Sequence, residues 1–322
     1  MNNVRAVVTA SSAVPLGTGV AALPAAALAH VANRPLLHHV VLGLARAGVA
    51  EATLVADADT LPALQAALVE HRVRGVAMRH VERRRDASLL AAVLAAERGE
   101  DDATVVVVPA GSLCTFPVSA LLQRQHDERL DALLTLPPGR DGREAAPGPP
   151  LVLGPQALRS LAGGGDLEGD ALRVGHLPVP LPLDGSGGPD ALLALNRHVL
   201  DELEASWASM RAATAGVTLT GRVRVHPTAR VEGSTILGPV IIGAHAEIVD
   251  AYIGPYTSIG DHVVVRGAEV EGSVLLTGAE IRHLGSRLEG SVVGVGAQLS
   301  RDFRLPRSLR LHVGEGARVQ MA

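Results

Sequence analysis

Through the last third of the chain the apolar positions keep a period of 17. Val225, Ile242, Ile259 and Leu276 stand 17 apart, as do Val231, Ile248 and Val265, and Ile236, Ile253 and Val270. Inside one period the steps run 6, 5, 6, as from Val225 to Val231 to Ile236 to Ile242. A helix would repeat its apolar residues every three or four positions, and an ordinary half-buried strand would alternate. A six-residue beat with one shortened step predicts a left-handed parallel β-helix. Each apolar residue points inward from one flat side of a three-sided coil, and the next coil lies about 4.8 Å away. Glycine often follows the inward residue, as in Ile242-Gly243, Ile253-Gly254 and Ile259-Gly260, which suits a turn at each corner.

Upstream the pattern changes. Short continuous apolar runs predict strands at Val4 to Thr9, Ala52 to Ala56, Val76 to Val81 and Ala103 to Val108. Helical spacing predicts helices at Pro35 to Ala47, Thr60 to Glu70, Ala87 to Arg98 and Phe116 to Arg129. Alternating strands and helices with short connections predict βαβ units and a mostly parallel sheet. Pro137 to Pro150 reads as a loop, Leu151 to Asp184 holds few clear elements, and Pro189 to Met210 reads as a helix with proline in its first turn. The expected organisation is an α/β domain at 1–188 (irregular and shortened over 136–183), a connecting helix at 189–214 and the β-helix at 215–322.

Composition narrows the function classes. Hydrophobic residues at 47% and charged ones at 19% over 322 residues describe a folded chain. With aromatics at 2% and a net charge of −4, no nucleic-acid partner is expected. The single cysteine, Cys114, excludes an intrachain disulfide and fits a reducing compartment. No apolar run is long enough to span a membrane. The first residues resemble a weak signal peptide, but Pro15, Gly17, Gly19 and Pro24 interrupt its apolar stretch, so a cytoplasmic protein is expected. One omission bears directly on chemistry: the chain has no lysine, and all 29 residues counted as Lys+Arg are arginine. Arginine does not replace lysine where a compact ammonium is needed.

Several segments carry a family likeness. They are Val31-Ala32-Asn33-Arg34-Pro35, Asp184 with the helix carrying Asn196-Arg197, Gly238-Pro239-Val240-Ile241-Ile242-Gly243, and Tyr252-Ile253-Gly254-Pro255-Tyr256-Thr257-Ser258-Ile259-Gly260-Asp261. With them the chain resembles the sugar-1-phosphate nucleotidyltransferases, above all the long, actinobacterial-type glucose-1-phosphate thymidylyltransferases. The likeness covers most of the chain, strongest in the C-terminal third and poorest over 136–183. It implies a Rossmann-like nucleotidyltransferase domain, a Mg²⁺-dependent reaction and assembly through the β-helix.

Carried over position by position, the family's chemistry is largely missing. The family opens with a Gly-x-Gly-Thr-Arg loop whose backbone N–H groups hold triphosphate; here Ser11-Ser12-Ala13-Val14-Pro15-Leu16-Gly17 stands there, with Leu16 at the arginine position. The lysine that would position the sugar phosphate falls at Ala26. Of the two aspartates that would hold Mg²⁺, one position is Ser112 and the other is Asp184, a remnant. The base-reading glutamine falls near Arg83 and a glycine under the base near Ser88, leaving these two as candidate nucleotide or phosphate contacts. Phosphoryl transfer depends on positioning and charge neutralisation. The resemblance therefore implies a pseudoenzyme: a catalytically degenerate homologue acting as a structural, regulatory or partner-binding subunit, with no cofactor of its own. It would form a homo-oligomer or a hetero-oligomer with an active paralogue, and a nucleotide or sugar-nucleotide ligand stays open.

Other constellations offer different readings. The scaffold could carry new chemistry at Asp184, Ser112, Cys114 or the arginines. His245 and His262, 17 apart, should stack on one edge of the prism. There they could serve a β-helix acyltransferase as general base, share a metal, or simply face water.

Overall fold

The computed structural model describes residues 3–10, 26–83, 94–95, 102–114, 117–136, 148–165, 167, 172–178, 183–185, 187–202, 216–301 and 309–312. These group into two compact units. One is drawn from the segments up to Ala29 and from Pro35–Asp184, the other from His30–Arg34 and from Gly185 onwards.

The first unit is a Rossmann-like α/β layer structure. Its strands are β1 (Val4–Ala10), β4 (Glu51–Asp57), β5 (Ala77–Arg83), β6 (Thr104–Pro109), β8 (Ala132–Leu136), β9 (Gly148–Leu153) and β10 (Val174–Pro178). They form one seven-stranded sheet in the order β10-β8-β9-β6-β1-β4-β5. β7 (Ser112–Leu113) and β11 (Leu183–Asp184) form a small ribbon; a second ribbon, β2 (His30–Val31) with β3 (Arg34–Pro35), falls, but for Pro35, on the His30–Arg34 segment grouped with the second unit. In the large sheet β5, β4, β1 and β6 run parallel, whereas β9 is antiparallel to both β6 and β8. Strands buried on both sides read as unbroken apolar runs rather than alternation. In β1, Ala6 and Val8 pack on one side with α1 (Leu36–Arg46), α2 (Leu61–Glu70) and α3 (Val118–Asp127), and Val7 packs on the other with Val55, Val105 and Val107. α4 (Pro155–Ala162) buries Ala157 and Leu161 against Leu153 and Ala132.

Two expectations for this unit need correction. Gly148-Pro149-Pro150 begins a strand instead of ending a loop, and 151–184 holds β9, α4, β10 and β11. β9 opens with Gly148-Pro149-Pro150, whose prolines lack a backbone donor and disguise a strand start, and α4 is only eight residues long. The helix expected at Ala87 to Arg98 lies outside the described residues except at 94–95, which are helical.

The second unit is a left-handed parallel β-helix with three sheets. One side stacks Thr218–Thr220, Thr235–Leu237, Tyr252–Ile253, Glu269–Glu271 and Leu288–Glu289. The next stacks Val223–Val225, Val240–Ile242, Thr257–Ile259, Val274–Leu275 and Val292–Val293. The third stacks Arg230–Glu232, Glu247–Val249, Val264–Arg266, Glu280–Arg282 and Gln298–Arg301, closed by an antiparallel strand at Leu309–His312. Ile242, Ile259 and Leu275 rise in one inward column and Ile248, Val265 and Ile281 in another, all buried. Each such side chain contributes about 1.5–3 kcal/mol by leaving water.

The period is not uniform. Ile259 pairs with Leu275, not with Leu276 as the 17-residue beat predicts, and Leu275 pairs in turn with Val293. One coil is thus a residue short and the next a residue long. Leu275 is buried while Leu276 is half-buried, so the adjacent leucine masked the slip.

α5 (Gly188–Asp201) belongs to this second unit, and its last expected turns fall outside the described residues. Asn196 on α5 is buried and hydrogen-bonded through both its amide oxygen and its amide nitrogen. Its Oδ1 accepts from the Ala32 backbone N–H at 3.0 Å and from the Ser258 hydroxyl at 2.5 Å, and its Nδ2 donates to the Tyr256 carbonyl at 3.1 Å. The Asn33 side-chain amide donates to the Ile259 carbonyl at 2.6 Å. Ala32, Leu200 and Ile241 pack together around this knot.

Candidate functional site

In an open parallel sheet, ligands gather at the carboxyl ends of the strands. In the first unit these ends are Ala10, Asp57, Arg83 and Pro109. The segment following β1, with Leu16, lies outside the described residues, and so does Ser88.

After β6 the chain turns through Ala110-Gly111 into β7, with the Ala110 N–H donating to the Thr9 carbonyl at 2.7 Å. A Cβ on Gly111 would stand 2.8 Å from the Ala26 Cβ and 3.3 Å from the Ala27 nitrogen, so only glycine lets the 3₁₀ turn Ala26–Leu28 approach this closely. β7 then pairs antiparallel with β11, in a register that sets Ser112 opposite Asp184. Three residues singled out from sequence, Ala26, Ser112 and Asp184, are therefore drawn to one corner of the unit.

Among the described residues, these three positions bring few donor types to that corner. A methyl, a hydroxyl and one carboxylate-bearing residue supply neither an ammonium nor a second carboxylate. Mg²⁺ prefers hard oxygen ligands in an octahedron and holds to protein chiefly through carboxylates. Among the described residues no group of three or more His, Cys, Asp or Glu is arranged to hold a metal. The corner as it stands is a poor fit for the cation that the family likeness implies.

Arg83 ends β5, and its guanidinium is taken up by Asp57, the residue that ends the neighbouring β4. Nε donates to Oδ1 at 2.8 Å and the second contact is 2.7 Å, with the Asp57 side chain 4% exposed. Asp57 was missed in the sequence, although the polar residue closing the apolar run Thr53-Leu54-Val55-Ala56 was a visible signal. Cys114, just beyond β7, is half-buried, and burial pushes its thiol up to about 11. It is protonated at neutral pH, the reverse of an activated nucleophile.

In the second unit His245 and His262 are both exposed and sit at one corner of successive coils. Their rings stack with centroids 5.0 Å apart and planes at 16°.

Three comparisons with known proteins bear on this geometry. No family model matches the chain. Over 136 residues it is 37% identical to a glucose-1-phosphate thymidylyltransferase from Streptomyces antibioticus, a match covering 42% of this chain and 37% of that protein. A glucose-1-phosphate thymidylyltransferase from Streptomyces griseus is 34% identical over 137 residues, covering 42% and 38%. The chain is a relative of the sugar-1-phosphate nucleotidyltransferases. It spans less than two fifths of the length of either Streptomyces protein, at 37% and 38%. A low-salt glycan biosynthesis nucleotidyltransferase from Haloferax volcanii is 38% identical over 71 residues, which is 22% of this chain and 20% of that one. Among solved structures, a crystal structure described as a glucose-1-phosphate thymidylyltransferase from Bacillus anthracis, in complex with a sucrose, aligns with a TM-score of 0.48 at 10% identity, covering 60% of this chain and 94% of that one. In this sugar-1-phosphate nucleotidyltransferase relative, the pairing of β7 with β11 brings Ser112 opposite Asp184, two of the positions singled out from the sequence.

No described helix is long and apolar enough to cross a membrane.

Proposed function

We propose that this chain is a catalytically degenerate sugar-1-phosphate nucleotidyltransferase relative, serving as a structural, regulatory or partner-binding subunit. The observation that carries this reading is the pairing of Ser112 with Asp184 beside Ala26. The positions for two carboxylates and a lysine hold one carboxylate, a hydroxyl and a methyl. With no lysine in the chain, no neighbouring residue supplies the missing ammonium. Loss of one charge-stabilising group typically costs about 10²–10³ in rate, and here several are lost together. The β-helix, by contrast, keeps its interior and corners intact, so selection on this half of the molecule fits assembly with a second copy or with an active paralogue.

The test is pyrophosphate release from glucose-1-phosphate with dTTP or UTP and Mg²⁺, run beside calorimetric titration of each ligand. The expected result is no Mg²⁺-dependent turnover, with Ser112→Asp gaining Mg²⁺-dependent nucleotide binding. Turnover within about a hundredfold of an active Streptomyces relative would overturn the reading. Sedimentation of the chain alone and with an active paralogue tests the subunit role; a monomer indifferent to that paralogue would remove it.

A further inference from the structure

We propose that His245 and His262 form a two-imidazole binding site for a divalent transition cation of the kind that prefers nitrogen ligands, Cu²⁺, Ni²⁺ or Zn²⁺, on the outer corner of the β-helix. Both rings are exposed and nearly parallel, at 5.0 Å between centroids. They are placed there by backbone, not by packing. The His262 N–H donates to the Ala244 carbonyl at 2.8 Å, and the His245 N–H donates to the Thr228 hydroxyl oxygen at 2.9 Å, one coil further down the same corner. Both residues adopt the left-handed conformation, at φ 55° and 58°. The same corner is filled by Gly278 and Gly296 in the next two coils, at φ 72° and 65°. Glycine takes this backbone without strain, so histidine at two consecutive coils is not demanded by the fold.

Among the described residues, no hydrogen bond ties down the ring nitrogens of His245 and His262 in the way Thr228 holds His226. The His226 Nδ1 lies 2.8 Å from the Thr228 hydroxyl and accepts from the Thr228 N–H at 3.2 Å, so that ring is tied down. The charge near the stacked pair favours a cation. Asp261 folds its carboxylate back over Gly243 and accepts from the Ala244 N–H at 2.6 Å, one residue before His245 in the chain. Metal–imidazole bonds are about 2.0–2.1 Å. Two adjacent ligands at that distance need nitrogens about 3 Å apart, against a coil spacing of about 4.8 Å. Free rotation of two exposed side chains about their Cα–Cβ and Cβ–Cγ bonds closes that gap, and water completes the coordination. Copper(II) should bind most tightly of the three by the usual order of divalent metals.

The experiment is calorimetric titration of the full chain with Ni²⁺ and Zn²⁺ at neutral pH, with Cu²⁺ followed by electron paramagnetic resonance. The expected result is one site per chain, with two nitrogens in the copper spectrum. His245→Asn or His262→Asn should each weaken that site by about tenfold or more, because the second ligand's chelate advantage is lost. Asparagine tolerates the left-handed backbone, so these variants keep the fold, and unchanged melting curves confirm it. His226→Asn should leave the affinity unchanged. Absence of binding, or binding that survives both substitutions, overturns the proposal. The outcome is independent of whether the chain transfers nucleotides.

Discussion

The two units reach order by opposite routes. In the β-helix every coil repeats the contacts of the one before, so each inward residue meets its own equivalent about 17 positions away. In the α/β unit β1 pairs with β4 on one side and β6 on the other, which joins residues 4–10 to 51–57 and to 104–109. A repeating coil absorbs small changes of length. It loses a residue between Ile259 and Leu275 and restores it by Val293 without breaking the interior column. The α/β unit has no such tolerance at its corner, where one Cβ added at Gly111 would collide with Ala26. A site assembled from unlike segments is thus easily emptied of chemistry by a few substitutions, whereas a stack is hard to erase.

Substitutions sharpen that contrast. The largest effect is expected for Ile259→Asp, which places a carboxylate among Ile242, Ile253 and Leu275. A loss of about 5 kcal/mol or more should abolish the cooperative melting of the second unit, followed by circular dichroism. A melt within about 1 kcal/mol of wild type would deny the coil interior its role as core.

Next comes Asn196→Ala, which strands the Ala32 N–H and the Tyr256 carbonyl and removes the acceptor for Ser258. Urea unfolding should show a loss of about 2–4 kcal/mol. Its counterpart in the first unit, Asp57→Ala, should cost less, about 2 kcal/mol, because Arg83 is 26% exposed and can turn to water. If Asp57→Ala proves the costlier of the two, the knot at Asn196 is not the stronger fastening.

The pH response should separate the units at opposite ends of the scale. Cys114 keeps its proton to about 11 in the folded chain. An unfolded thiol ionises near 9, so stability contributed at Cys114 is present below pH 9 and lost as pH rises towards 11. Thiol-reactive labelling at pH 8 should be slow in the native chain and fast in urea; equal rates would contradict the burial. Glu247 behaves in the reverse sense. The hydrogen bond from Arg266 holds its carboxyl below the usual range, so its contribution is present above that range and lost in acid. Glu247→Gln should change stability by less than about 1 kcal/mol and less still in high salt, since the pair is largely wet.

Much of this was legible in the sequence where one physical rule acts alone. The coil interior was readable because Val231, Ile248 and Val265 answer only to burial. β1, β4 and β6 were readable because strands buried on both faces show uninterrupted valine and alanine. Leu275 was misread as Leu276, because two adjacent leucines satisfy a hydrophobic pattern equally and only the register distinguishes them. β9 was hidden behind Pro149 and Pro150, which on composition alone signal a loop. At the candidate site the sequence named Ala26, Ser112 and Asp184, but it could not show that β7 and β11 pair the last two. Arg83 was singled out because the base-reading position of the family likeness falls near it, and its pairing with Asp57, 26 residues away, carried no mark in the sequence.

The Ala32–Asn33 turn limits how these units can be exchanged. It is encoded early in the chain yet completes the fastening of Asn196, Ser258 and Ile259. No single cut separates the two halves cleanly. A β-helix grafted behind a foreign N-terminal unit would lose the Ala32 N–H from the Asn196 amide and the Asn33 amide from the Ile259 carbonyl, unless the graft carried a matching Val31-Ala32-Asn33-Arg34 turn with it. Shuffling of this architecture, in the laboratory or in evolution, is therefore favoured where that short stretch is present in the partner or travels with the graft.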